Sequence, residues 1–230
     1  MKKVNLLLLA AVLFTSCSTS KFLTSDVKPV EITDMLKIEP FAYISLIKKG
    51  NQGEYSDSVS SISKSALNES VEIFRERLHL ASGEAVVIDS IDREMLENEL
   101  HFLILSADRN RNIKNLPVTP VIDSLLTANG KRFGLIIVQS GFTRAKGNYN
   151  SQVAKGIGIG ILTGILTMGT AAVYQAPVKS ISTLYAMIID NQNKSVAFYN
   201  KSVLQGKEPT NKENIIKQLE KVFEKYFWEK

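Results

Sequence analysis

The sequence predicts a layered α/β domain in which amphipathic helices cover a mixed sheet of about five strands. Two observations predict it. Short, nearly unbroken apolar runs alternate with amphipathic helical patterns, and two further β-rich runs flank an Asn-rich turn near the end of the chain. Such apolar runs are typical of strands buried on both faces, and their alternation with helices indicates a sheet between helical layers. The hairpin adds antiparallel strands, which makes the sheet mixed.

The first predicted elements are a strand and a helix. Phe41–Ile47 (FAYISLI) is rich in β-forming residues and nearly all apolar, so we expect a central strand. Apolar residues then recur every three to four positions over residues 59–78. This spacing predicts an amphipathic helix that begins at an N-cap formed by Asp57 or Ser58 and ends near Ser82.

The middle of the chain continues the same alternation. Residues 85–88 (AVVI) predict a second short buried strand, and helical spacing resumes over residues 92–105. Thr119 is the expected N-cap of a short helix over residues 121–129. Residues 133–138 (FGLIIV) predict a third buried strand.

The last predicted elements are a hairpin and a helix. Residues 182–190 and 195–203 are β-rich and flank the turn Asn-Gln-Asn-Lys, which is typical of a β-hairpin. Apolar positions at three- and four-residue steps predict a C-terminal helix over residues 211–229.

The N-terminus has the layout of a secretory signal. Lys2 and Lys3 give it a positive start, residues 4–14 are almost wholly apolar, and small residues precede Cys17. A signal that ends in small residues directly before a cysteine resembles the signal of bacterial lipoproteins, although Phe14 stands where leucine is commoner. In that family the cysteine is lipidated and becomes the first mature residue. Cys17 is the single cysteine, so the sequence allows no intramolecular disulfide and no cysteine-based metal site.

The lipoprotein resemblance implies a domain organisation and a location. Residues 1–16 would be the removed signal, residues 17–39 a polar tether and residues 40–230 a single α/β domain. Two or more acyl chains on Cys17 would give stable membrane anchoring. Because Ser18 follows the cysteine where Asp would signal retention in the inner membrane, the family implies the outer membrane, with the protein facing the periplasm.

Composition and motifs argue against several function classes. Removal of residues 1–16 lowers the formal charge from +5 to +3, too small an excess to indicate a nucleic-acid partner. His79 and His101 are not at metal-ligand spacing, and we expect both at the surface or at helix ends. Ser140 precedes a glycine after a predicted strand, but the first glycine of GxSxG is missing and no histidine follows it. We therefore expect no metal, no cofactor and no enzymatic activity.

An uncharged stretch at residues 156–178, here called the apolar arm, is the candidate interaction segment. It opens with GIGIG, whose glycine spacing does not match the dinucleotide-binding fingerprint. The residues that we expect to contact a partner are Gly156, Ile157, Gly158, Ile159, Gly160, Gly164 and Gly169.

Three interpretations of the apolar arm are open. It reaches the roughly 20 residues of a membrane-spanning helix, but its glycines weaken a helix and such a span does not suit an outer-membrane lipoprotein. A buried excursion, in which small residues pack closely on the arm's own domain, is favoured. The third interpretation is an exposed element for assembly, and the length of the arm also suits two short membrane β-strands.

The order of elements resembles the periplasmic α/β domain of envelope lipoproteins related to the curli-secretion lipoprotein and to the amino-terminal domain of TolB. The sharpest local feature is LYAMIIDNQNKSVAFYN, in which an aspartate, a turn and a lysine join two strands. Asn193 stands where such hairpins often have glycine. Members of this group also place a variable apolar, glycine-bearing segment before the hairpin. The resemblance implies a shared scaffold and carries over no catalytic residue.

Together these observations predict a non-catalytic, lipid-anchored envelope protein. Cys17 would hold it at the membrane, and its α/β domain would bind a protein partner or a second copy. The alternative is an oligomeric pore or secretion lipoprotein in which residues 156–178 insert into a membrane.

Overall fold

The computed structural model describes residues 22–88, 90–114, 116–150, 159–161, 172–174 and 178–228. Within them a mixed sheet of seven strands lies between two helical layers, which confirms the layered α/β fold and raises the strand number above the expected five. The strands are β1 (Leu23–Thr24), β2 (Leu36–Lys37), β3 (Phe41–Ile47), β4 (Glu54–Tyr55), β5 (Phe133–Arg144), β6 (Ile159–Ile161), β7 (Ala172–Tyr174), β8 (Ile181–Asp190) and β9 (Ser195–Gln205). The helices are α1 (Asp57–Ile73), α2 (Ser90–Asn110), α3 (Pro120–Ala128) and α4 (Lys212–Phe223), with a 3-10 turn at Pro29–Glu31.

The strand order across the sheet is β1-β9-β8-β5-β3-β4, and β2 pairs with β5 beside the start of that strand. β5 is central: it is parallel to β2 and β3 on one side and antiparallel to β8 on the other. β8 and β9 form the predicted hairpin. β6 and β7 pair with each other as a separate two-stranded ribbon.

Alternate side chains of the sheet enter two apolar cores, one on each face. In β5, Leu135 and Ile137 belong to the core that contains residues of α1 and α4. Ile136 and Val138 belong to the core that contains residues of α2 and α3. Burial on both faces explains why the central strands read as unbroken apolar runs.

Several element boundaries differ from the sequence predictions. α1 starts after Ser56 and ends at Ile73, where turns replace the helix well before Ser82. Residues 85–88 form no strand; Val86 makes a single bridge to Ile38, and Val87 is 72% exposed, so this run is too little buried to act as a strand. β5 continues past residue 138 because its later polar side chains are also buried and hydrogen-bonded.

The C-terminal helix is also shorter than predicted. α4 ends at Phe223, and the extended backbone of Glu224 begins a turn. This turn brings Trp228 onto Phe74 at the end of α1, with ring centroids 5.0 Å apart. The apolar residues after 223 are therefore buried by a turn and not by a continued helix.

Residues 22–39, which the sequence analysis assigns to the tether, are part of the domain. They contribute β1 and β2 to the sheet, and Ile32 and Met35 are fully buried in the core shared with α1 and α4. Their apolar residues pack into a core that is built mainly by other elements. They therefore show neither the helical nor the strand spacing by which a secondary-structure element is predicted from sequence. Residues 17–21 lie outside the described residues.

Candidate functional site at the base of the apolar arm

The apolar arm connects two neighbouring strands of the sheet. β5 ends at Arg144 and β8 begins at Ile181, and Phe142 lies opposite Ile181 in the antiparallel register. Ile47, Phe142 and Ile181 form a small buried cluster at this end of the sheet, and Val178, the last residue of the arm, packs against it. The chain therefore leaves the sheet and re-enters it side by side.

Gly141 permits the close approach of β5 and β8 near this exit. Its φ is +157°, and a Cβ atom added to it would lie 2.0 Å from the carbonyl oxygen of Ile181. Both positions are fixed by the main chain, so no change of rotamer could relieve the contact. A side chain at position 141 would force the two strands apart at the base of the arm.

Arg144, the last residue of β5, joins Asn148 and Val178 to the loop after β3. Its side chain is 9% exposed, and its Nε donates to the carbonyl oxygen of Val178 at 2.9 Å. Its Nη1 donates to the Gly50 carbonyl at 3.1 Å, to Asn51 Oδ1 at 3.1 Å and to Asn148 Oδ1 at 2.6 Å. One guanidinium thus holds together the end of β5, the residue by which the arm returns to the sheet and a neighbouring loop.

The charge of Arg144 is held by neutral acceptors. Within the described ranges its Nη2 is buried without a hydrogen-bond partner. Burial lowers the pKa of Arg144, and the nearby Tyr149 acts in the opposite direction. Because an arginine starts from a pKa above 12, it remains protonated at neutral pH. A buried positive charge therefore lies at the base of an uncharged segment.

A buried polar network supports the same end of the sheet. Gln139 of β5 accepts a hydrogen bond from Ser63 of α1 at 2.6 Å and donates to Ser182 Oγ and to the Pro209 carbonyl, each at 2.9 Å. Ser182 donates in turn to Gln218 Oε1 of α4 at 2.8 Å. Networks whose members are all bonded fix the packing of the elements that carry them. This one ties α1, β5, β8 and α4 together and holds its hydroxyl groups in structural bonds.

The structure places the predicted interaction residues as follows. Ile159 and Gly160 lie in β6, opposite Tyr174 and Val173 of β7. These positions are strand, so a continuous helix over residues 156–178 is wrong. The remaining predicted residues lie outside the described residues: Cys17, Gly156, Ile157, Gly158, Gly164 and Gly169.

The residues considered for catalysis or metal binding are not brought together. Ser140 lies inside β5 and is buried, so it is not on a strand-to-helix turn of the nucleophile-elbow kind. His79 is exposed, whereas His101 is buried in α2, which corrects the expectation that both are at the surface or at helix ends. Across the part of the chain that the structure describes, no group of three or more His, Cys, Asp or Glu side chains could hold a metal ion. The described helices also include none that is both long and apolar enough to cross a membrane.

The Asp-turn-Lys hairpin lies at the opposite end of β8 from the arm. Asp190 is fully buried, pairs with Arg132 (Nη2 to Oδ2, 2.9 Å) and accepts the backbone N–H groups of Gln192 at 3.0 Å and Asn193 at 3.2 Å. The left-handed residue of the turn is Lys194, with a φ of +49°, rather than Asn193. Asp190 therefore has a structural role in closing the turn.

Sequence reasoning missed Arg144, although one signal pointed to it. Its position as a charged residue at the end of an uncharged strand marks a boundary, but its partners at residues 50, 148 and 178 come together only in the folded chain. No family model matches the chain, and no curated protein sequence matches it.

Among solved structures, the chain is similar to a PelC dodecamer from Paraburkholderia phytofirmans. The TM-score is 0.36 with 7% sequence identity, over 90% of this chain and 96% of that chain. The first of these structures is of the L103M variant; a PelC dodecamer without that substitution gives a TM-score of 0.36 with 8% identity, over 89% of this chain and 94% of that chain. A similarity at this level supports no conclusion about assembly or function.

Proposed function

We propose that this chain is a lipid-anchored protein of the bacterial outer membrane that works by assembly and not by catalysis. Lipidation of Cys17 anchors it facing the periplasm, the α/β domain is a scaffold of the kind found in the curli-secretion and TolB group, and the apolar arm contacts a second copy. The observation that carries the proposal is the placement of the arm: an uncharged segment inserted between adjacent central strands, with its β6–β7 ribbon separate from the main sheet.

Residues outside the arm build two large cores, one on each face of the sheet. The two strands that flank the arm are held one strand spacing apart, about 5 Å, by the pairing of Phe142 with Ile181. A long uncharged, apolar segment inserted between paired strands is therefore a candidate interaction site.

Replacement of residues 151–177 by a Gly-Ser linker of about six residues tests the proposal. Such a linker can join the two attachment points, because Arg144 bonds both Asn148 and Val178 and keeps them close together. The variant keeps Arg144, Asn148 and Val178. In acyl-less protein that begins at Lys21, we expect the natural chain to form oligomers in size exclusion and crosslinking. We expect the linker variant to be a folded monomer with the same thermal unfolding midpoint.

A matched control keeps the length of the arm but replaces its isoleucines and leucines with serine. It should also be monomeric, because it removes the apolar surface and not the chain. Assembly of the linker variant equal to that of the natural chain would overturn the proposal. A natural chain that is a stable monomer with residues 156–178 protected from protease would do so as well.

A pore or secretion lipoprotein is the second candidate, and the β6–β7 pairing favours it. Two antiparallel strands within an uncharged segment suit a segment that enters a membrane on oligomerisation. Dye release from liposomes separates the candidates. Release by the natural chain and not by the linker variant supports insertion, whereas oligomers that release no dye support assembly alone.

A further inference from the structure

Four neighbouring strands end or begin in one row at the end of the sheet from which the apolar arm departs. Ile47 of β3 lies opposite Arg144 of β5. Phe142 of β5 lies opposite Ile181 of β8, which pairs in turn with Gln205 of β9. The segments that adjoin these strand ends therefore lie side by side. They are residues 48–53, 145–150, 178–180 and 206–208, here called the arm-end segments.

The arm-end segments are basic. They contain one acidic residue, Glu208, and five lysines whose side chains are exposed: Lys48, Lys49, Lys146, Lys179 and Lys207. The apolar arm cannot neutralise these lysines, because the sequence has no Asp or Glu between Asp123 and Asp190. An excess of positive charge therefore surrounds the strands that flank the arm.

Hydrogen bonds hold the arm-end segments against one another. Asn148 Nδ2 donates to the carbonyl oxygens of Lys48 at 3.4 Å and of Gly50 at 3.3 Å. The N–H of Gly206 donates to the Ser180 carbonyl at 2.8 Å. The main chain that carries the lysines is therefore held in place, so binding to a surface requires little further ordering of these segments.

Two acidic side chains lie close to the arm-end lysines. Lys48 Nζ is 3.7 Å from Glu54, and Lys179 Nζ is 3.6 Å from Glu208. Both lysine side chains are more than half exposed, and ion pairs in such positions are weak. The two carboxylates balance fewer than half of the five ammonium groups.

The opposite end of the sheet is balanced instead. Three lysines there form ion pairs with aspartates: Lys114 with Asp26, Lys131 with Asp34 and Lys194 with Asp123. The basic surface is therefore a property of one end of the domain and does not simply follow from the net charge of the chain.

We propose that the arm-end lysines bind anionic phospholipid headgroups, so that the domain faces the membrane with the end that carries the apolar arm. The inference rests on the proposed function in one respect, because the lipidated Cys17 brings the domain to a membrane. A polybasic patch is weak alone but serves as the second signal that makes lipid anchoring stable. Each basic residue within about 8 Å of an anionic surface strengthens binding about fivefold.

The chemistry of the five lysines favours a headgroup layer over an acidic protein. Lysine acts as a flexible point charge, whereas arginine is preferred where carboxylates are bound in a fixed geometry. The lysines adjoin four strands, which cover three strand spacings of about 4.8 Å each. Mobile headgroups can adjust to ammonium groups that are spread in this way.

Cosedimentation with vesicles tests the inference on acyl-less protein that begins at Lys21. At an ionic strength of about 0.05 M, we expect tight binding only where about a third of the phosphatidylcholine is replaced by phosphatidylglycerol. Lys49→Gln with Lys146→Gln and Lys207→Gln should weaken this binding about a hundredfold, at about fivefold for each lysine. An ionic strength of about 0.5 M should abolish it.

A triple variant at the opposite end is the matched control. Lys114→Gln with Lys131→Gln and Lys194→Gln lowers the net charge by the same amount and should weaken binding less than about threefold, because screening confines the effect to charges near the surface. Equal losses in the two triple variants, or equal binding of the natural chain to both kinds of vesicle, would overturn the inference. Tighter binding to soluble polyglutamate than to vesicles, at equal negative charge, would identify an acidic protein as the partner instead.

A fluorescent label reports which end of the domain faces the vesicle. A chain that begins at Lys21 has no cysteine, so Gln52→Cys in an arm-end segment and Asn129→Cys at the opposite end each accept one dye. Both positions are exposed. On anionic vesicles the dye at residue 52 should be shielded from acrylamide, whereas the dye at residue 129 should stay accessible. Equal shielding at the two positions would contradict the proposed orientation.

The linker variant without residues 151–177 separates this inference from the proposed function. It keeps all five lysines and should retain the preference for anionic vesicles, whether or not it assembles. Loss of that preference would show that the arm and not the lysines binds lipid, which would overturn the inference. Assembly of the same variant, measured by size exclusion, tests the proposed function independently.

Discussion

The Nε atom of Arg144 donates a hydrogen bond of 2.9 Å to the carbonyl oxygen of Val178, which joins the residue where the chain leaves the sheet to the segment by which it returns. The same guanidinium holds Gly50 and Asn51 in the loop after β3. A single buried side chain therefore holds the end of β5 to Val178, the residue by which the apolar arm returns to the sheet.

Arg144→Gln should lower the free energy of unfolding by about 2–3 kcal/mol, because it removes hydrogen bonds from a charged donor and leaves buried acceptors unpaired. Urea denaturation measures the loss, and limited trypsin digestion should show faster cleavage at Lys146 and Lys179. Arg109→Gln, at an exposed site in the last turn of α2, is the matched control and should change neither. Equal stability of the two variants would show that Arg144 does not hold the base of the arm.

Gly141→Ala should lower the free energy of unfolding by more than about 3 kcal/mol or prevent folding, because its Cβ would lie 2.0 Å from the Ile181 carbonyl oxygen. Gly206→Ala is the control. Gly206 also has a positive φ, of +68°, but no atom lies within 4 Å of an added Cβ. Gly206→Ala should therefore lower the free energy of unfolding only by the backbone strain, about 1 kcal/mol. Thermal unfolding of both variants separates the steric effect from the conformational one.

The stability contributed by Glu72 should depend on pH. Burial raises the pKa of Glu72, but hydrogen bonds from Arg75 and Lys37 outweigh it and hold the pKa below its ordinary value. A carboxylate with a lowered pKa stabilises the fold above its unfolded-state pKa of about 4.3, and this stabilisation is lost as pH falls through the folded-state pKa. Lys37 is 5% exposed, so removal of the carboxylate charge leaves a buried ammonium with a weaker partner.

Glu72→Gln should accordingly lower the free energy of unfolding at about pH 7, and the difference from the natural chain should shrink below about pH 4. Glu72 is 38% exposed, so solvent screening limits the effect to about 1 kcal/mol. Urea denaturation at several pH values measures it. A difference that stays constant with pH would show that the packing of Glu72 matters and its charge does not.

Strands buried on both faces were predictable because their apolar runs are unbroken. Phe41–Ile47 matches β3 at both ends, and the turn between β8 and β9 follows from its asparagines. β1 and β2 were not predictable, because each is only two residues long and takes its place from strands that other segments build. Short edge strands carry too few residues for a period to appear.

The continuation of β5 beyond residue 138 was not predictable, for a different reason. Residues 139–144 read as polar, yet Gln139 is fully buried because Ser63, Ser182 and Pro209 supply its hydrogen-bond partners. These partners are far apart in sequence, so no local pattern reveals the pairing. The contacts at the base of the apolar arm were not predictable for the same reason. The sequence shows the uncharged segment, but only the fold brings Arg144 to Val178 and to the loop after β3.

Membrane anchoring and assembly should be separable in this chain, because the proposed function assigns them to different segments. Cys17→Ala should abolish labelling by palmitate, and labelling that persists would make the lipoprotein assignment wrong. Replacement of residues 1–17 by a signal that a general signal peptidase removes should release the protein from membranes, since the acyl chains supply the anchor. The linker variant without residues 151–177 should stay in the membrane fraction but fail to crosslink to other copies. The opposite result, in which the linker variant is released and the signal-replacement variant stays with the membrane, would show that the arm and not Cys17 provides the anchor. The proposal of a pore or secretion lipoprotein would then replace the proposal of assembly alone.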